Sequence, residues 1–207
     1  MRLWAIVMLS LAAVLVSAAG RVVEIGRATR VIPRADITRG GFSGLLQENA
    51  GVAENDRIQT QDGGRARVVL NDGSILNIGS KSALTIKNET RSSRAGSLEI
   101  AYGMVRAEVV GRLAARRFEI RTFTAVGGVL GTTVFVDATP GSTHIVNLSD
   151  AASGSQVRVT SSNPRIRGQV VLNPGEGTIV EQGKPPVPPH AMGPDVTRQF
   201  VADTDIP

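Results

Sequence analysis

The chain has 207 residues, enough for one sizeable domain, and a hydrophobic fraction of 42%, which excludes wholesale disorder. It has no cysteine, so disulfides, thiolate metal sites and cysteine nucleophiles are excluded; aromatics make up only 3%, so the core has to come from Val, Ile, Leu and Ala. The net charge of +5 is spread along the chain, and its one tight basic stretch (Arg112, Arg116, Arg117 and Arg121) reads as a solvated strand edge and turn rather than a polyanion site.

The N-terminus has the layout of a secretory signal peptide over residues 1–19. Arg2 supplies the positive charge, an uncharged apolar run extends from Leu3 to Val16, and Ser17-Ala18-Ala19-Gly20 offers the small side chains that signal peptidase needs. Cleavage is expected before Gly20. The run is short for a membrane span, and no later segment is long and apolar enough to be one. The mature chain is therefore expected to be periplasmic or secreted, with no transmembrane segment and no nucleic-acid partner.

From Val22 onward the pattern is short, alternating and punctuated. Ala66, Val68 and Leu70 alternate with Arg65, Arg67 and Val69; Val105, Ala107 and Val109 alternate with Arg106 and Glu108; similar pairs follow at Phe118 and Ile120, Val134 and Val136, Val146 and Leu148, and Val157 and Val159. A period of two puts one face in a core and the other in water. The breaks carry turn chemistry: Asp72-Gly73 is a two-residue hairpin signal, and Asp62-Gly63-Gly64 and Pro140-Gly141 read the same way. The expected fold class is all-β, as a sandwich, roll or irregular β-solenoid of many short strands, filling residues 20–183. Residues 184–207 change character. Pro185, Pro186, Pro188 and Pro189 favour an extended, flexible tail, with a docking peptide built on Pro186, Pro189 and Phe200 as the sharper alternative.

Three blocks, in order, resemble the FecR domain family between about Asn49 and Glu181. The first is Glu54-Asn55-Asp56-Arg57-Ile58-Gln59-Thr60, continuing through Asp62-Gly63-Gly64-Arg65-Ala66 to Leu70-Asn71-Asp72-Gly73-Ser74. The second is Gly103-Met104-Val105-Arg106-Ala107-Glu108-Val109, and the third runs from Phe118 through Gly127-Gly128-Val129-Leu130-Gly131-Thr132-Thr133 to Phe135. Three positions depart from the family pattern: Asn55 replaces a Gly, Phe123 a Pro and Leu130 an Arg. The best-known members regulate iron-transport sigma factors from the inner membrane, through a cytoplasmic segment and a span that this chain has no room for. What the resemblance implies is an exported β domain used for binding or scaffolding.

The motif residues read as structural: Asp56 as a turn acceptor, Asp72 and Gly73 as hairpin formers, and Gly127, Gly128, Gly131 and Thr132 as a bulge, corner or close approach. Gly127 to Thr133 lacks the lysine and following helix of a phosphate-binding loop. Two histidines, His144 and His190, are too few for a His-based metal cage, and His144 reads as a strand-surface or satisfied core residue. Glu54, Asp56, Asp62 and Asp72 read as turn residues. No catalytic group, cofactor or metal is implied. The expected function is a non-enzymatic envelope protein with an interaction, scaffold or signalling role, its partner another envelope protein. The alternative is a binding module for peptidoglycan or another anionic polymer.

Overall fold

The computed structural model describes residues 22–88, 95–110 and 117–207. The signal-peptide stretch, together with Arg112, Arg116 and the side chain of Arg117, lies outside the described residues. The first eight strands are β1 (Glu24–Ile32), β2 (Ala35–Arg39), β3 (Phe42–Leu45), β4 (Gly51–Ala53), β5 (Arg57–Thr60), β6 (Arg65–Leu70), β7 (Ile75–Ile78) and β8 (Ala83–Asn88). A long central strand, β9 (Ala95–Glu108), is followed by β10 (Arg117–Arg121), β11 (Ala125–Val129), β12 (Thr133–Ala138), β13 (Ser142–Asn147), β14 (Val157–Ser161), β15 (Gln169–Leu172), β16 (Glu176–Glu181) and β17 (His190–Ala191). A helix, α1 (Pro194–Thr204), comes last.

Pairing sorts these strands into two layers. One runs β4-β1-β6-β7-β9-β12-β13-β16-β17. The other runs β3-β2-β5-β8-β9-β10-β11-β14-β15. Every pair is antiparallel except β9 with β10. The all-β expectation holds, as two layers of short strands not closed into a barrel. Leu76, Ile78, Val105, Val136 and Ile145 of the first layer and Ile58, Leu84, Leu98, Ile100 and Ile120 of the second share one buried cluster. Val105, Ile120 and Val136 are alternating positions that the sequence marks, whereas in β13 the expected pair Val146 and Leu148 is on the other face and Ile145 joins the cluster. At roughly 25 cal/mol per Å² this burial is the main stabilising term.

Only β9 belongs to both layers. Its N-terminal half buries Leu98 and Ile100, its C-terminal half Val105 and Ala107, so the alternation changes phase between them. An extra residue makes the change: Ala83 faces Tyr102 while Leu84 faces Ile100, leaving Ala101 unpaired with β8. Gly103 follows with φ +90, where a Cβ would lie 2.3 Å from Ser82 Oγ and 2.6 Å from the Lys81 carbonyl, so only glycine fits the crossing.

Residues 184–207 differ from the extended, flexible tail that their prolines suggest. The Val187 N–H donates to the Ile179 carbonyl and Thr178 Oγ1 donates to the Val187 carbonyl, so the proline segment runs along β16 with Pro186 buried. Beyond it, Pro194 in the first turn and Asp195 at the positive end of the dipole start α1. The helix lies on the outer face of the first layer, where Phe200 stacks on Phe135 with ring centroids 4.3 Å apart. Phe135 points away from the main core and is nonetheless fully buried. The residues after α1 are clasped by arginines: Arg65 Nη1 donates to the Asp205 carbonyl at 2.6 Å, Arg67 Nη2 to the Ile206 carbonyl at 2.8 Å and Arg30 Nε to the Pro207 carbonyl at 3.0 Å. Arg106 Nε donates to Thr204 Oγ1 at 3.2 Å, and Ile206 is buried. Hydrogen bonds from charged donors and an apolar anchor thus fix a segment whose composition alone suggests mobility.

Candidate functional site

The outer face of the second layer carries a groove of about 510 Å³ over β10, β11 and β14. Alternation dictates its lining. Phe118, Ile120, Val129, Val157 and Val159 point inward, which turns Glu119, Val126, Gly128, Arg158 and Thr160 outward. Register then places Gly128 directly between Glu119 and Arg158. A Cβ at Gly128 would find only the Arg158 carbonyl, at 3.8 Å, so the missing side chain leaves the floor open. Val126, Leu130 and Val171 supply apolar walls.

Two large apolar side chains stand at the ends of β11: Phe123 is 62% exposed and Leu130 57%. Both are positions where the sequence departs from the FecR pattern. The Phe123 loop is fixed, because Ser162 Oγ donates to the Phe123 carbonyl and the Ser162 N–H to that of Thr124. Arg121, the described member of the basic stretch, is ion-paired with Glu119, and Arg158 Nη1 donates to Gln169 Oε1. A groove with apolar walls, one acid and one base suits an extended polypeptide better than a polyanion.

The residues picked out from sequence are scattered. Asp56 is fully buried; its Oδ2 accepts the Ala53 N–H at 2.7 Å, and both its oxygens accept from Arg39. Asn55, where the family has glycine, sits at φ +65, a left-handed conformation that asparagine enters more readily than most residues. The β6–β7 connection is longer than the two residues that Asp72-Gly73 suggests: it turns over Asn71–Ser74, with Gly73 at φ +89, Gly73 N–H donating to Leu70 O and Ser74 N–H to Asp72 Oδ1. Gly127 lets Ile145 and Val157 close over β11, Gly131 turns at φ +60 and buried Thr132 donates to the Leu130 carbonyl. Pro189 is exposed, and Phe200 docks on the chain's own sheet. Of these residues only Gly128 lines the groove. Leu130 and Arg158 are found by a different signal: outward positions of strands whose inward neighbours are apolar.

A second cluster lies under α1. Of the two readings expected for His144, strand-surface or satisfied core residue, the second does not hold: its Nε2 is buried without a hydrogen-bond partner, and burial followed by the proximity of His190 pushes its pKa down. Asp137, facing His144 across β12 and β13, has its carboxyl pushed up by burial and then by the charge of Asp203. A carboxyl more basic in the folded chain than in the unfolded one binds its proton more tightly when folded, so stability falls as pH rises through its titration range. Asp137→Asn is therefore expected to raise stability at neutral pH by under about 1 kcal/mol. The gain fades as pH falls through 3.8 and is gone well below it, where the acid is protonated in both states. Urea melts at the two pH values check this, and an equal gain at both sinks it.

These features define a class: a two-layer β domain with a solvent-facing groove. The family model described as FecR protein matches residues 56–153, a little under half of the chain. Two crystal structures of proteins from Parabacteroides distasonis ATCC 8503, each provisionally assigned as an anti-sigma factor, have the same fold at TM-score 0.52. Identities are 19% and 20%, and the shared part covers 65% of this chain but 59% of theirs. No curated protein matches the chain. No helix among the described residues is long and apolar enough to cross a membrane.

Proposed function

We propose that the chain is an exported, non-enzymatic protein-interaction module of the cell envelope with a role in signalling, and that it takes an extended segment of a partner protein in the β10–β11–β14 groove. The observation that carries this reading is Leu130, a solvent-facing apolar side chain on the wall of a glycine-floored groove, with Phe123 exposed before the other end of β11. Exposed apolar groups beside a concave surface mark an interaction site more often than they serve the free molecule. The FecR domain and the likeness to proteins assigned as anti-sigma factors support a regulatory partner.

The test is site-specific photocrosslinking in the envelope, with the probe at Leu130 and, as control, at Ile179 on the opposite layer. A discrete protein adduct at Leu130, absent at Ile179 and lost in Val126→Asp, is the expected result. Retention of the chain on isolated peptidoglycan, weakening as salt rises, with no protein adduct at Leu130, would overturn it in favour of a polymer-binding module.

A further inference from the structure

The chain has two histidines, and the fold brings them together. His144 projects outward from β13, and its ring lies 6.5 Å from that of His190 in β17, the two planes within 9°. They are far apart in sequence; β16 joins them, because it pairs with β13 on one side and β17 on the other, with Gly177 opposite both Val146 and His190. Met192, two residues beyond His190 in extended chain, returns to the same face. A Cβ at Gly177 would stand 3.0 Å from Met192 Sδ and 3.3 Å from His144 Nε2. The sulfur, the nitrogen and the Val146 Cγ2 methyl, at 3.1 Å, already crowd the point where a side chain at Gly177 would begin, so the glycine is what lets Met192 Sδ and His144 Nε2 approach each other there.

We propose that His144, His190 and Met192 form a binding site for a soft monovalent cation, copper(I), over Gly177. Three observations carry it. His144 Nε2 is a buried nitrogen without a protein partner, which is costly unless something satisfies it. Two imidazoles holding one ion at about 2.0–2.1 Å have ring centroids about 5.5 Å apart around a trigonal ion, so the exposed His190 ring has to close by about 1 Å from the 6.5 Å found. The donors are two imidazoles and a thioether, a set that favours copper(I) over the harder divalent ions. Among the described residues no three His, Asp or Glu side chains gather to hold a metal, so zinc, calcium and magnesium have no comparable site there. His190 is exposed and gives an entry path, while Phe200 lies edge-on to His144 at 5.5 Å and shields the inner side from water.

The experiment titrates the full chain, without oxygen, with copper(I) held by a chromogenic chelator, and compares it with His190→Ala and Met192→Leu. His190 lies exposed in the two-residue strand β17 and Met192 just beyond it, and leucine keeps the volume of methionine, so circular dichroism should show both variants folded. One equivalent withdrawn from the chelator, with affinity reduced at least tenfold by either substitution and X-ray absorption showing two nitrogen ligands and one sulfur, is expected. Gly177→Ala should weaken uptake as well. No uptake, or uptake that His190→Ala and Met192→Leu leave within threefold, as copper held by the N-terminal amine would be, overturns the proposal.

Discussion

Replacing Asp56 by alanine is expected to lower the unfolding free energy by about 3 kcal/mol, the range for breaking a buried ion pair from one side. The carboxylate is fully buried: Oδ1 accepts from Arg39 Nε at 2.8 Å, and Oδ2 accepts from Arg39 Nη2 at 2.6 Å and from the Ala53 N–H at 2.7 Å. Arg39 Nη2 also donates to the Gly51 carbonyl at 2.8 Å. Arg39 belongs to β2 in one layer and Gly51 to β4 in the other, so this bidentate pair staples the two layers. In Asp56→Ala the Ala53 N–H loses its acceptor, while Arg39, already 40% exposed, can turn to water, which keeps the cost at the lower end. Arg39→Ala strands the buried carboxylate and should cost as much or more, and the double variant should cost less than the sum of the two. Urea denaturation measures all three; a cost below about 1 kcal/mol for Asp56→Ala would show that the staple contributes nothing of its own.

The second large effect is at Phe200. Alanine there removes the ring stacked on Phe135 and opens a face that is otherwise sealed. Phe-to-Ala changes in cores cost 3–5 kcal/mol; Phe200 is only partly buried, and about 2–3 kcal/mol is expected. Loss of protection against hydrogen exchange should extend through residues 194–207, because the Thr204 and Ile206 contacts depend on α1 staying seated. A change under about 0.5 kcal/mol with exchange unaltered would mean that the arginine clasp alone holds the segment.

What was legible in the sequence was the part written in local patterns. Alternation names the core-facing residues of β6, β10 and β14, but in β12 it leaves fully buried Phe135 to solvent and in β13 it picks Val146 and Leu148 where Ile145 faces the core. Asp72-Gly73 marks a hairpin even though the turn is longer than it suggests. Which strand pairs with which was not legible: the parallel contact of β9 with β10 depends on a crossover that no short window contains. The helix was hidden by its own composition. Its inner face is carried by Thr197, Phe200 and Thr204, while Val196 and Val201 face solvent, so hydrophobicity points the wrong way; Pro194-Asp195 was the remaining cue. Asp56 was recognised as a turn acceptor, but its partner Arg39 lies 17 residues away and is brought back only by the β2–β5 pairing. At the groove, Phe123 and Leu130 stand out in sequence as departures, yet their exposure follows from the register of β11.

The central strand gives the molecule a mechanical character. Strands β1 to β8 pair only among themselves and with β9, and so do β10 to β17, each half supplying four strands to each layer. In hydrogen-bonding terms the domain is two half-sandwiches sharing one spine. Among the described residues, the ties of side chain to backbone that leap the spine to the end of the chain are those of Arg30, Arg65 and Arg67, which reach from the first half to residues 205–207. A pull on that end would load these arginines in shear together with the Arg106–Thr204 contact to the spine, while the shared core holds the two halves together.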